Sequence, residues 1–270
     1  MAERGGAKAG SAGLAVSGGE RHDAVLPLLV ELSRDLGAPE RDAVILAEGN
    51  TSASVDEHTF LLKASGFALA RADAGSFVEM RTDAVLDLLD HPPATDAELA
   101  QALERCRAGE GPRPSVEATL HALALTLGGA SFVGHSHPTP VNALLCSEHA
   151  EAVAAGALFP DYVVVCGRPL LVPYLDPGVP LARAVRDGLR SHLESHGAPP
   201  KLIYLANHGI VALGRSPAEV LQVTDMAVKA ARVLLGAFAA GGPHFLAERD
   251  ESRIETRPDE HYRRETLARA

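Results

Sequence analysis

Two hydrophobic periods alternate along the chain, and their alternation predicts a layered α/β protein. Val25, Leu28, Leu29, Leu32 and Leu36 repeat at helical spacing from about His22, and Gly37 closes that helix. Thr59–Lys63 and Phe77–Met80 have the length and composition of short strands, with Lys63-Ala64-Ser65-Gly66 as a polar turn after the first. Thr82–Leu89 and Asp96–Ala108 read as helices on either side of the Pro92-Pro93 break. Pro114-Ser115 opens another helix, with Ser115 as its N-cap and Gly128-Gly129 as its stop. Ala130–Val133 reads as a buried strand running into Gly134-His135-Ser136-His137-Pro138. Val163–Val165, Leu170–Val172, Leu202–Leu205 and Gly209–Leu213 read as further strands, and Leu181, Ala182, Val185, Leu189 and Leu193 mark one helix face. Ser216-Pro217-Ala218-Glu219 places Ser at an N-cap, Pro at the first helical position and Glu at the third. It predicts a long helix to about Ala240, stopped by Gly241-Gly242-Pro243.

No linker or repeat interrupts this pattern, so a single domain over 21–243 is expected, with a disordered tail at 1–20 and a charged tail at 244–270. Alternation alone would suggest a parallel sheet, but the short turns between the early strands imply antiparallel pairing there. The 270 residues are 46% hydrophobic and 22% charged, an ordinary globular mix. A net charge of −10 disfavours nucleic acid or an anionic membrane as partner, because both reward clustered positive charge. Cys106, Cys146 and Cys166 lack C-x-x-C spacing, and neither a secretory apolar segment nor a membrane-length one is present. A reduced, cytoplasmic setting is the expectation.

Of the 12 histidines, three stand where chemistry is expected. His135 and His137 are two apart on a strand end, so both rings point to one face. His208 sits at a strand-to-turn junction in Ala206-Asn207-His208-Gly209. Together they would form a three-nitrogen site with an open fourth position, as in catalytic zinc centres. Glu117, in Pro114-Ser115-Val116-Glu117, is an ordinary first-turn helix residue in one reading. In the other it is a carboxylate able to move a proton beside a metal-bound carbonyl, with His121 four residues on to orient it. The turns Gly49-Asn50-Thr51-Ser52 and Ala64-Ser65-Gly66 can aim donors at a phosphate or carboxylate, and Lys63 adds positive charge.

The order of these five motifs over roughly 25–240 resembles the class II aldolase/adducin family. Lys63-x-Ser65-Gly66 and the tail Pro258-Asp259-Glu260-His261-Tyr262 are closest in flavour to its rhamnulose-phosphate-aldolase-like branch. The resemblance implies an α/β fold: a single three-layer α/β/α domain around a largely antiparallel sheet, assembled as a homotetramer. It implies Zn2+, or another divalent metal, on His135, His137 and His208, with Glu117 as the acid–base. Asn50, Ser65, Gly66 and Ser115 match the family's phosphate-binding positions. A tyrosine from a neighbouring subunit often protonates the other fragment, and Tyr162 is the nearest candidate by position, with Tyr262 second. The implied activity is aldol cleavage or formation in a small ketose phosphate or related hydroxy-carbonyl compound, through a zinc-stabilised enediolate. Dehydratase, decarboxylase and epimerase reactions share that start. An iron-dependent oxygenase and a non-catalytic adducin-like scaffold are remoter alternatives, the latter disfavoured because all three histidines are kept. Val116 departs from the Ser-Ser pair of many phosphate-using members, which leaves a non-phosphorylated acid among the candidate substrates.

Overall fold

The computed structural model describes residues 18–259, which takes in the start of the expected C-terminal tail at 244–259; the rest of the two expected tails, with Tyr262, lies outside the described residues. A seven-stranded sheet forms the middle layer. From edge to edge its order is β3 (Phe77–Arg81), β2 (Thr59–Lys63), β1 (Asn50–Ser54), β4 (Phe132–Ser136), β7 (Gly209–Gly214), β6 (Leu202–Leu205) and β5 (Leu170–Val172). Every neighbouring pair is antiparallel except β5 with β6. The short Val55–His58 connection after β1 cannot make a crossover, so β2 must fold back on it.

Side chains alternate across each strand, and the two faces bury separate cores. Val133, Val211, Ile203 and Leu205 face α2 (Thr82–Asp90), α3 (Asp96–Arg105), α4 (Ala118–Leu125) and α7 (Val179–His196). Phe132, Ile210, Ala212 and Tyr204 face α1 (Gly18–Leu36), α5 (Thr139–Leu145), α6 (Pro160–Val165), α8 (Pro217–Ala239) and α9 (Glu248–Thr256). This is the three-layer α/β/α arrangement with a largely antiparallel sheet that the sequence implied. Burying a leucine contributes about 1.5–3 kcal/mol, against about 0.5–1.5 kcal/mol net for a ladder hydrogen bond. A one-residue slip of β4 would turn Val133 and His135 to the wrong face, so packing on both sides fixes the register that the functional residues need.

Ser216 Oγ accepts the Glu219 N–H at 3.2 Å and the Glu219 carboxylate accepts the Arg215 N–H at 2.8 Å, so α8 starts as its sequence predicts. Three expectations are corrected. Val163–Val165 is not a strand but the end of α6: Pro160 supplies a helix start, and three apolar residues in a row carry no period. Ser115 does not cap α4, which begins at Ala118; Ser115 Oγ instead accepts the Glu117 N–H at 3.2 Å, leaving Glu117 at the cap. The first helix takes in Gly18, Gly19 and Glu20, which were expected in the tail. Among the described residues, no helix is long and apolar enough to cross a membrane.

At Gly134, β4 packs tightly against the layer of α1 and α8. A Cβ there would lie 2.7 Å from Val220 Cγ1 and 3.2 Å from Leu36 Cδ2. Gly134→Ala is expected to destabilise by about 1–3 kcal/mol and to lower the midpoint by about 2–4 °C for each of those, as scanning calorimetry would show. An unchanged midpoint would mean that the layers separate freely.

Candidate metal centre

The register pairs Asn50 with His135 and His135 with Val211, so all three project from one face at the centre of the sheet. β4 ends at Ser136, and the His137 N–H is taken up by Ala43 O at 2.8 Å. His208 comes from the turn joining β6 to β7. Asn207 holds φ 55°, a left-handed conformation asparagine tolerates, and the His208 N–H closes the turn on Leu205 O at 3.1 Å. Helix α5 braces this turn from behind: Asn207 N–H donates to Leu145 O at 3.1 Å and Asn142 Nδ2 to His208 O at 3.0 Å. Gly209 then permits the close approach, since a Cβ there would stand 2.4 Å from Ser136 O and 2.6 Å from His137 Cδ2.

The three imidazoles meet as a cluster. Their ring centroids are 4.8, 4.8 and 5.1 Å apart, and one ring nitrogen from each lies within 4.8 Å of the others. His135 Nδ1–H donates to Ile210 O at 2.9 Å, and His137 Nδ1–H donates to the Glu48 carboxylate at 2.5 Å. Those bonds turn both Nε2 atoms inward, where they face each other at 3.0 Å. Glu117 Oε1 lies 3.4 Å from His135 Nε2 and 3.4 Å from His208 Nε2, buried and without a hydrogen-bond partner.

The electrostatics follow from burial. It presses against charge on Glu117, but the neighbouring His135 and the hydrogen bond from Asn50 hold the carboxyl well below its usual range. Burial, with His135 beside it, brings His208 down to about 4, and the same causes lower His137. Three converging imidazole nitrogens are a donor set that a divalent cation can occupy, zinc among others, with the unpartnered Glu117 oxygen standing beside it.

Around this cluster the structure brings together some predicted residues and separates others. Asn50 Nδ2 donates to Glu117 Oε2 at 2.7 Å and to Ser115 Oγ at 3.3 Å, so these three form one buried group. The Ser65 N–H donates to Arg113 O at 3.0 Å, which lays the exposed Ser65-Gly66 turn against the segment that carries Ser115.

Lys63 is not an anion-binding residue. It is 2% exposed, and its ammonium donates to Gly49 O at 2.9 Å, Phe67 O at 2.6 Å and Ala47 O at 3.3 Å, using all three protons. Burial pulls it down to about 8. Tyr162 is corrected too. It packs in the core on the opposite face of the sheet from His135, with its hydroxyl 3.1 Å from that of Tyr204. Its hydroxyl is buried there rather than presented at the surface to a neighbouring subunit, and that burial pushes the phenol well above its ordinary value.

Two partnerships in the site were not foreseen. Glu48 precedes Gly49-Asn50 in a turn, and its partnership with His137 spans a separation that spacing does not reveal. Ser52, expected with Asn50 in a polar turn, lies instead inside β1, and it reaches His121 across the same face of the sheet, 2.6 Å from Oγ to Nδ1.

Comparison with known proteins agrees with this geometry. The sequence model of the Class II Aldolase and Adducin N-terminal domain family matches residues 28–235. The fold is similar to the N-terminal class II aldolase domain of a conserved protein from Thermoplasma acidophilum, with 24% identity, a TM-score of 0.62, and 78% of this chain and 93% of that one covered. It is similar to YgbL, a putative aldolase/epimerase/decarboxylase from Escherichia coli, at 19% identity and a TM-score of 0.65, over 87% of this chain and 99% of that one. The L-fuculose-1-phosphate aldolase of Thermus thermophilus matches at 18% identity and a TM-score of 0.57, over 83% of this chain and all 100% of that one. No match is found among curated proteins. With the motifs in order, the site assembled at the sheet centre and the family match spanning most of the chain, this protein belongs to the class II aldolase and adducin N-terminal domain family.

Proposed function

We propose that the chain is a divalent-metal-dependent aldolase, zinc being the preferred ion, acting on a small ketose phosphate or related hydroxy-carbonyl compound. The observation that carries this reading is Glu117 Oε1, buried, unpartnered and 3.4 Å from two of the three inward-facing imidazoles. A scaffold protein gains nothing from leaving such an atom unsatisfied, at a cost of about 1–3 kcal/mol or more. His135, His137 and His208 would hold the metal, which supplies a Lewis acid for the negative charge left on the substrate when a carbon–carbon bond breaks. Glu117 is the base: Oε1 takes a proton at the carbon next to the carbonyl and returns it in the reverse direction. Asn50 and Ser115 line the buried side, and the Ser65-Gly66 turn supplies donors for the anionic end.

Three measurements test the reading. Metal analysis of purified protein is expected to show one divalent ion per chain, lost in His135→Ala; zinc retained at the wild-type level in that variant would overturn the ligand assignment. Glu48→Gln, which removes the carboxylate behind His137, is expected to weaken zinc binding about 10–100-fold. Glu117→Gln is expected to keep the metal while losing about 10²–10⁴ in kcat on whichever member of a ketose 1-phosphate panel, L-fuculose 1-phosphate included, the wild type cleaves. Undiminished turnover in Glu117→Gln would remove the carboxylate from the mechanism.

A further inference from the structure

Behind Glu117 runs a buried chain of polar groups that the proposed reaction does not by itself require. Ser52 Oγ lies 2.6 Å from His121 Nδ1, His121 Nε2 contacts Asn50 Oδ1, and Asn50 Nδ2 donates to Glu117 Oε2 at 2.7 Å. Ser52 and His121 are fully buried and Asn50 is 5% exposed, so no solvent stands in for any of these bonds.

The polarity of the chain follows link by link. An ionised carboxylate only accepts, so the amide group facing Glu117 is the NH2 of Asn50 and its Oδ1 faces His121. An amide oxygen only accepts, so His121 must carry its proton on Nε2. Nδ1 is then a bare acceptor, and the Ser52 hydroxyl must donate to it. Burial supports this neutral form, bringing His121 down to about 3.

We infer that His121, locked by Ser52 in its Nε2–H tautomer, is a positioning residue that fixes the Asn50 amide and thereby holds the Glu117 carboxylate with Oε1 turned toward the histidine cluster. Oε2 is taken up by the Asn50 NH2, whereas Oε1 is left facing the histidine cluster. In proton abstraction the C–H proton passes to Oε1 and the electron pair stays on the substrate carbon. The return step reverses both.

This inference rests on the acid–base role proposed for Glu117, so its test has an arm that needs no turnover. In zinc-loaded protein, long-range 1H–15N spectra are expected to show His121 as the Nε2–H tautomer, and the Asn50 side-chain amide protons as shifted downfield and slow to exchange. His121→Gln, whose amide NH2 can replace the Nε2–H donor, is expected to keep the Asn50 signature; His121→Leu is expected to lose it. In the activity arm, deuterium exchange from solvent into dihydroxyacetone phosphate is expected to fall about 10²-fold in kcat in His121→Leu, with KM and zinc content unchanged and with partial recovery in His121→Gln. Ser52→Ala, a milder change should His121→Leu fail to fold, is expected to mix the two tautomers and to lower kcat in proportion. The inference is overturned by an Nδ1–H tautomer in the wild type, by an unchanged Asn50 signature in His121→Leu or Ser52→Ala, or by a loss of exchange matched by loss of zinc. Absence of exchange in the wild type, with the spectroscopic pattern as expected, would instead count against the aldolase reading.

Discussion

Three imidazole lone pairs and a carboxylate oxygen do not share a few ångströms of space on their own account. Each must be fixed from behind, and much of the local architecture supplies that fixing. His135 is held by a backbone carbonyl of β7, His137 by Glu48, the His208 turn by α5, and Glu117 by Asn50. Except for Glu48, which stands in the turn before β1, these anchors belong to strands or helices about the sheet centre, where packing on both faces leaves little freedom to relax. The cluster is therefore held in advance, as a cation-binding site has to be if its ligands are not to collapse onto one another.

The rim of the site is built differently. Lys63 spends its ammonium on three backbone carbonyls, tying the turn before β1 to the turn after β2. Ile45, Leu46, Phe67 and Val116 stand exposed on these turns and beside Glu117, at 66%, 86%, 37% and 42%, and Leu46 adopts φ 52°. A largely buried histidine cluster thus sits beneath a rim whose turns carry exposed apolar tips.

Much of this was legible beforehand, and the reasons differ from residue to residue. The three histidines and the α8 cap were readable because their signals are local: i,i+2 alternation on a strand, Asn-His-Gly in a turn, Ser-Pro-x-Glu at a helix start. Val163–Val165 misled because a short apolar run looks the same in a strand and in a buried helix. Lys63 and Tyr162 misled for a shared reason. A charge or a phenol suggests a site only if it faces one, and the direction each faces is set by pairings far away in sequence. Glu48, and the partners of Ser52 and His121, were hidden by the same non-locality: the residues these three bond to stand 89, 69 and 71 residues away.

The burial of the Ser52–His121–Asn50 chain also makes it a cul-de-sac. The hydroxyl at its far end has one proton, already committed to His121, and no exposed surface through which another could enter. A proton arriving on Glu117 cannot drain backwards into bulk water along this path, so it must leave by the side on which it came. Exchange with solvent is thereby governed by what occupies the mouth of the site, and a bound molecule has the first claim on the proton it has just given up.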